Sequence, residues 1–100
     1  MLQAILVTIA YSVKPEKLNE YLSLMSGLVG LINGQAGIQY SVYAVDGEKN
    51  GYVEVYSCDT MEAYDALEDN LDESSRESIA KIAAEFVTNR QTFTSMHKAL

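Results

Sequence analysis

The stretch Tyr52-Val53-Glu54-Val55-Tyr56-Ser57-Cys58-Asp59-Thr60-Met61-Glu62-Ala63-Tyr64 changes its period halfway along. Tyr52 to Cys58 is rich in β-branched and aromatic residues, and Val53 and Val55 alternate with Tyr52, Glu54 and Tyr56, which predicts a strand. Val53 and Val55 share one dry side, and Tyr52, Glu54 and Tyr56 share a mixed side. Asp59-Thr60-Met61-Glu62 then supplies a helix start: an acid or hydroxyl to cap, and Glu62 three residues after Asp59. A strand therefore runs directly into a helix.

Upstream, a second β-rich run spans Gly37 to Asp46, and the glycine-bearing connection Asp46-Gly47-Glu48-Lys49-Asn50-Gly51 predicts a hairpin. Before it, Leu18, Tyr21, Leu22, Met25, Leu28, Val29 and Ile32 recur at helical spacing. Pro15 and Glu16 suit the start of that helix, and Asn33-Gly34 suits a left-handed stop. The chain opens with a strand-like run, Leu2 to Val13. There Ile5, Val7 and Ile9 share one face, and Ala4, Leu6, Thr8 and Ala10 share the other. Downstream, the helix begun at Thr60 is predicted to reach about Leu71 and to break at Asp72-Glu73-Ser74-Ser75. A second helical piece follows, with Ile79, Ile82, Ala83, Phe86 and Val87 as its stripe. Arg90 to His97, containing Thr92, Phe93 and Thr94, predicts a last strand.

The order is β-α-β-β-α-β with a split second helix, an α+β, ferredoxin-like arrangement over residues 1–100 as a single domain. Helices can cover only one face of its antiparallel sheet. Alternation, taken with the dryness of Val53 and Val55, predicts that these valines meet the helices. Glu54, Tyr52 and Tyr56 then fall on the opposite face. That face would also hold Leu6, Tyr43 and Phe93, with Ala4 and Ala10, and is too apolar to stay wet. A second copy of the chain, giving a homodimer, is the simplest cover.

Hydrophobic residues make up 48% of the chain, and 14 acidic against 7 basic residues leave a net charge of −7. That charge disfavours nucleic acid and anionic membranes as partners. The lone Cys58 can form no intrachain disulfide, Met1 to Leu6 lack a basic leader segment, and no apolar run reaches spanning length. The expected location is cytoplasmic.

Element order, length and the Tyr52–Tyr64 stretch resemble the dimeric α+β barrel superfamily, whose best-known members are antibiotic biosynthesis monooxygenase-like domains. The resemblance implies two subunits packed sheet to sheet, with a pocket in each subunit and activities ranging from cofactor-free oxygenation to haem degradation. The family's strand pattern places an acid two residues before an aromatic, often Trp, and leads to a His on the following helix. Glu54 matches the acid and Tyr56 the aromatic, while Leu67 falls about where the His would stand. The chain has no Trp, and its one histidine is His97. Neither haem nor any other cofactor is therefore implied.

Glu54 is the candidate catalytic base, with Tyr56 or Tyr43 orienting the substrate; the bland alternative is an ion pair, with Arg90, Lys49 or another cation, or a hydrogen bond across the dimer seam. Tyr43, Tyr52, Phe93 and His97 are the candidate ligand-binding residues, since tyrosine combines apolar area with a hydroxyl. The same tyrosines would equally suit a dimer interface. Cys58 reads as a small buried thiol. The acidic segment from Glu68 to Glu73 lacks the ligand spacing of a calcium loop, and no metal site is expected. Three functions remain open: a homodimer binding a small apolar or aromatic molecule, a cofactor-independent monooxygenase, or a non-catalytic protein-interaction domain.

Overall fold

The computed structural model describes residues 4–88 and 90–100. Its elements are β1 (Ile5–Ser12), α1 (Leu18–Asn33), β2 (Ile38–Ala44), β3 (Gly51–Cys58), α2 (Met61–Asp65), α3 (Glu73–Lys81) and β4 (Thr92–His97). The expected strand start at Leu2 lies outside the described residues. Four antiparallel strands form one sheet in the order β2-β3-β1-β4, the ferredoxin-like topology. Among the described residues no helix is long and apolar enough to cross a membrane.

Helix α1 follows a single 3-10 turn at Pro15–Lys17 and buries Tyr21, Met25, Leu28 and Ile32. Leu22, expected in that stripe, is instead 47% exposed. The helix stops at Asn33-Gly34 as expected, but without a left-handed residue there. Gly34 stays right-handed at φ −74°, and the left-handed residue is Gly37 at φ 79°. The Asn33 side chain ends the helix another way. Its Nδ2 donates to the Tyr40 carbonyl (2.8 Å) and its Oδ1 accepts from the Tyr40 N–H (2.9 Å), which ties the helix end to β2.

The hairpin turns through Gly47 at φ 83° and Asn50 at φ 60°, residue types that tolerate this conformation. Thr60 caps α2, its hydroxyl accepting from the Ala63 N–H (3.2 Å). Helix α2 ends at Asp65, short of Leu71, and a 3-10 turn at Glu68–Asn70 fills the gap. Asp72 restarts the helix by accepting from the Ser75 N–H (2.7 Å), a cap worth about 1 kcal/mol. Helix α3 then widens into a π-helical turn, Ile82–Phe86. Ile82 and Phe86 point inward there, Phe86 fully buried, whereas Ala83 stays exposed.

Register decides which strand residues face the helices. Ile9 lies opposite Glu54 on one side and Phe93 on the other, and Val42 lies opposite Glu54. Val7, Ile9 and Tyr11 of β1 are buried together with Tyr56 and Cys58 of β3, so this is the helix-covered face. The opposite face carries Leu6, Thr8 and Ala10, Val53 and Val55, Tyr43, and Met96. The two faces of β3 are thus reversed from the sequence expectation. Glu54, Tyr52 and Tyr56 face the helices, the valines face outward, and Phe93 joins the helix side. Leu6, Ala10 and Tyr43 do stand on the open face. The reversal follows from hydrogen bonding: a carboxylate can enter a core that supplies its donors, and two valines can be left half-buried.

Candidate functional site

Strand alternation on β3 places Glu54 in the middle of the helix-covered face, where it is only 8% exposed. Three phenols meet it. Oε1 accepts from the hydroxyls of Tyr40 (2.7 Å) and Tyr56 (3.1 Å), and Oε2 accepts from Tyr11 (2.6 Å). With its proton committed to Glu54, the Tyr11 hydroxyl can only accept from Tyr21, 2.7 Å away on α1. Three aligned donors suit an ionised carboxylate, which only accepts. The ion pairs among the described residues join Glu20 to Lys17 and Lys81, so neither Arg90 nor Lys49 pairs with Glu54.

Burial, and then the charge of Glu54, pushes the phenols of Tyr11, Tyr40 and Tyr56 far above the usual tyrosine range. Burial raises Tyr21 and Tyr64 in the same direction. These groups stay protonated at physiological pH, where they serve as hydrogen-bond donors and not as bases.

Beside this network lies a cavity of about 320 Å³ between the sheet and the helices, within the size range of small-molecule sites. Tyr40, Glu54 and Tyr56 form its sheet-side wall, and Met25, Leu28 and Ile82 form its helix side. Its exposed lining residues are Asp65, Glu68, Ala83 and Phe93, which places the mouth between α2, the π-helical turn and β4. The π-helical turn presents both Ile82 and Ala83 to the cavity. Such turns often occur at functional positions.

Of the residues singled out in the sequence, Glu54, Tyr56 and Phe93 come together on this cavity. Tyr52 shares their face but packs against Tyr21, with ring centroids 5.1 Å apart, and does not line the cavity. Tyr43 stands on the open face, 59% exposed. His97 sits at the end of β4 opposite Ile5, beside a separate depression that Leu6 and Met96 also line. Leu67 is buried on the cavity wall with no ligating atom to offer. Among the described residues no three His, Cys, Asp or Glu side chains converge on a metal position.

Tyr11, Tyr21, Tyr40 and Tyr64 are the site residues that sequence reasoning passed over. One signal was present. Cys58 read as buried, and its parity with Tyr56, Glu54 and Tyr52 puts all four on the covered side.

No protein-family profile and no curated protein sequence matches the chain. Solved structures do match. A conserved protein from Methanosarcina mazei Go1 superposes with a TM-score of 0.85 at 20% identity, over 96% of this chain and 93% of that one. An antibiotic biosynthesis monooxygenase gives 0.82 at 18% identity, over 96% and 99%. The chain has the fold of the antibiotic biosynthesis monooxygenase-like proteins. A Nitrosomonas europaea protein provisionally given that name superposes on this chain at a TM-score of 0.83 and 9% identity, over 96% of this chain and 99% of that one. At these identities the likeness is one of backbone architecture, a ferredoxin-like α+β layer.

Proposed function

We propose that the chain works as a homodimer in which each subunit binds a small apolar or aromatic molecule in its tyrosine-lined cavity. The observation that carries this reading is the cavity of about 320 Å³ with the Glu54 carboxylate fixed on its wall. Aromatic and aliphatic walls hold an apolar body, and one positioned polar group fixes its orientation. Pairing is supported by the open sheet face, whose outward positions within β1 to β4 carry no Asp, Glu, Lys or Arg. Two copies with a net charge of −7 each can approach there without direct charge repulsion.

Two measurements test the reading. Sedimentation at micromolar concentration should give about twice the 11.0 kDa chain mass, and Val55→Asp, which charges the open face, should return the monomer. N-phenyl-1-naphthylamine, a neutral aromatic probe, should fluoresce with the wild type. It should not do so with Ala83→Trp, which fills the cavity mouth. Equal fluorescence with both proteins would remove the cavity as the binding site.

A second reading, a cofactor-independent monooxygenase, is favoured by the fold shared with a protein of that name. Glu54 would take a proton from a methylene group of an aromatic substrate packed against the rings of Tyr56 and Tyr40; the carbanion would bond to dioxygen, and protonation and loss of water, which carries away the second oxygen atom, would leave a carbonyl. Oxygen uptake with a phenolic substrate, abolished by Glu54→Gln, would support this reading over simple binding.

A further inference from the structure

We propose that the cavity selects molecules carrying a positive charge, an ammonium group on an aromatic or alicyclic body; this rests on the cavity being the binding site argued above. The argument starts from Glu54. The phenols of Tyr11, Tyr40 and Tyr56 satisfy three of the roughly four acceptor positions of a carboxylate. The three bonds leave the carboxylate with acceptor capacity, on a residue that lines the cavity together with two of its donors, Tyr40 and Tyr56. Phenols supply hydrogen bonds but no net charge. A carboxylate buried without a counter-charge is costly, and a ligand cation would offset that cost.

Three further features point the same way. Among the described residues no Lys, Arg or His lines the cavity. Arg90, next in sequence to the lining residue Gln91, is exposed and is not part of the wall. Lys17 and Lys81 lie elsewhere, paired with Glu20 and each 5.8 Å from the Phe86 ring centroid.

The walls are also aromatic. The rings of Tyr40 and Tyr56 lie 4.6 Å apart, and Tyr64 meets Tyr56 edge-on at 5.3 Å. Such faces attract cations, more strongly where water is excluded. Finally, the exposed rim carries Asp65 and Glu68 on a chain of net charge −7. A cleft lined by one sign of charge concentrates counter-ions and repels its own sign. An anionic ligand would meet negative charge at both the mouth and the wall.

The test is a series of three molecules sharing one ring system: 2-naphthylmethylamine, 2-naphthylmethanol and 2-naphthoate, with charges of +1, 0 and −1 at neutral pH. Calorimetric titration of the wild type should show the amine binding about tenfold more tightly than the alcohol, with the naphthoate weakest. Glu54→Gln keeps the side-chain shape and should bring amine and alcohol to within about threefold of each other, mainly by weakening the amine. Should that variant fail to fold, the exposed pair Asp65→Asn/Glu68→Gln decides. It should lower amine affinity by about two- to threefold, remove most of its salt dependence, and leave the alcohol unchanged. If the alcohol or the naphthoate matches the amine in the wild type, the charge preference is overturned while the cavity remains a binding site. A preference undiminished in both variants overturns it too. If none of the three binds, the binding function falls with it.

Discussion

On the helix side of the sheet a carboxylate is buried to 8% exposure. On the other side, which none of the described helices covers, Val53 and Val55 flank the same residue with their side chains half-buried. Hydrophobicity alone would assign these roles the other way round. The difference shows that donors, and not polarity, decide whether a polar group can be buried. Glu54 is accepted into the core because Tyr11, Tyr40 and Tyr56 each bring a proton to it. The valines can remain outside because exposed apolar area is common on protein surfaces, and a patch without charge can be covered by a partner.

The sharpest way to break this comparison is Glu54→Leu. Hydrophobicity predicts a better core. The hydrogen-bond account predicts a loss of about 3 kcal/mol or more in urea unfolding, because three buried phenol hydroxyls lose their acceptor. An unchanged or increased stability would mean that the network is incidental.

Alkali gives a graded version of the same test. Unfolded tyrosines lose their protons near pH 10. In the folded chain, burial and Glu54 hold the phenols of Tyr11, Tyr40 and Tyr56 protonated well above that. The unfolded chain therefore binds fewer protons, and their contribution, complete below pH 10, declines as pH rises past it. The decline approaches about 1.4 kcal/mol per tyrosine per pH unit. Absorbance of phenolate at 295 nm should rise for these residues in one step with loss of circular dichroism. A rise that precedes unfolding would show the network open to solvent.

The smallest effects come from a matched pair. Tyr40→Phe removes a donor to Glu54 and should cost about 1.5 kcal/mol. Tyr43→Phe, on the open face, removes a hydroxyl with no partner among the described residues and should stay within about 0.5 kcal/mol. A larger loss at Tyr43 would show that a second copy engages it.

Much of the architecture was legible in the sequence because it rests on local signals. The α1 stripe, the Asp46–Gly51 turn, and the capping residues Thr60 and Asp72 each mark an element through its own neighbours. The site was legible in part. Glu54 stood out as a charge in the middle of a strand, and Tyr56 shared its face by alternation. What decides their direction is a set of donors distant in sequence. Tyr11 lies on β1, Tyr40 on β2 and Tyr21 on α1, and no local pattern links them to Glu54. Phe93 was misplaced because the facing of β4 depends on its pairing with Ile9, a register that alternation within β4 cannot supply.

The clamp from Asn33 onto the Tyr40 backbone also bears on how this chain behaves when crowded. β2 is an outer strand of the sheet, and an outer strand left bare is a template on which foreign strands can grow. Asn33 occupies both main-chain groups of Tyr40 from the side away from β3, like a one-residue strand that cannot be extended. A visiting chain would have to evict it before pairing along the middle of β2. The helix terminus thereby doubles as a guard against fibrous growth.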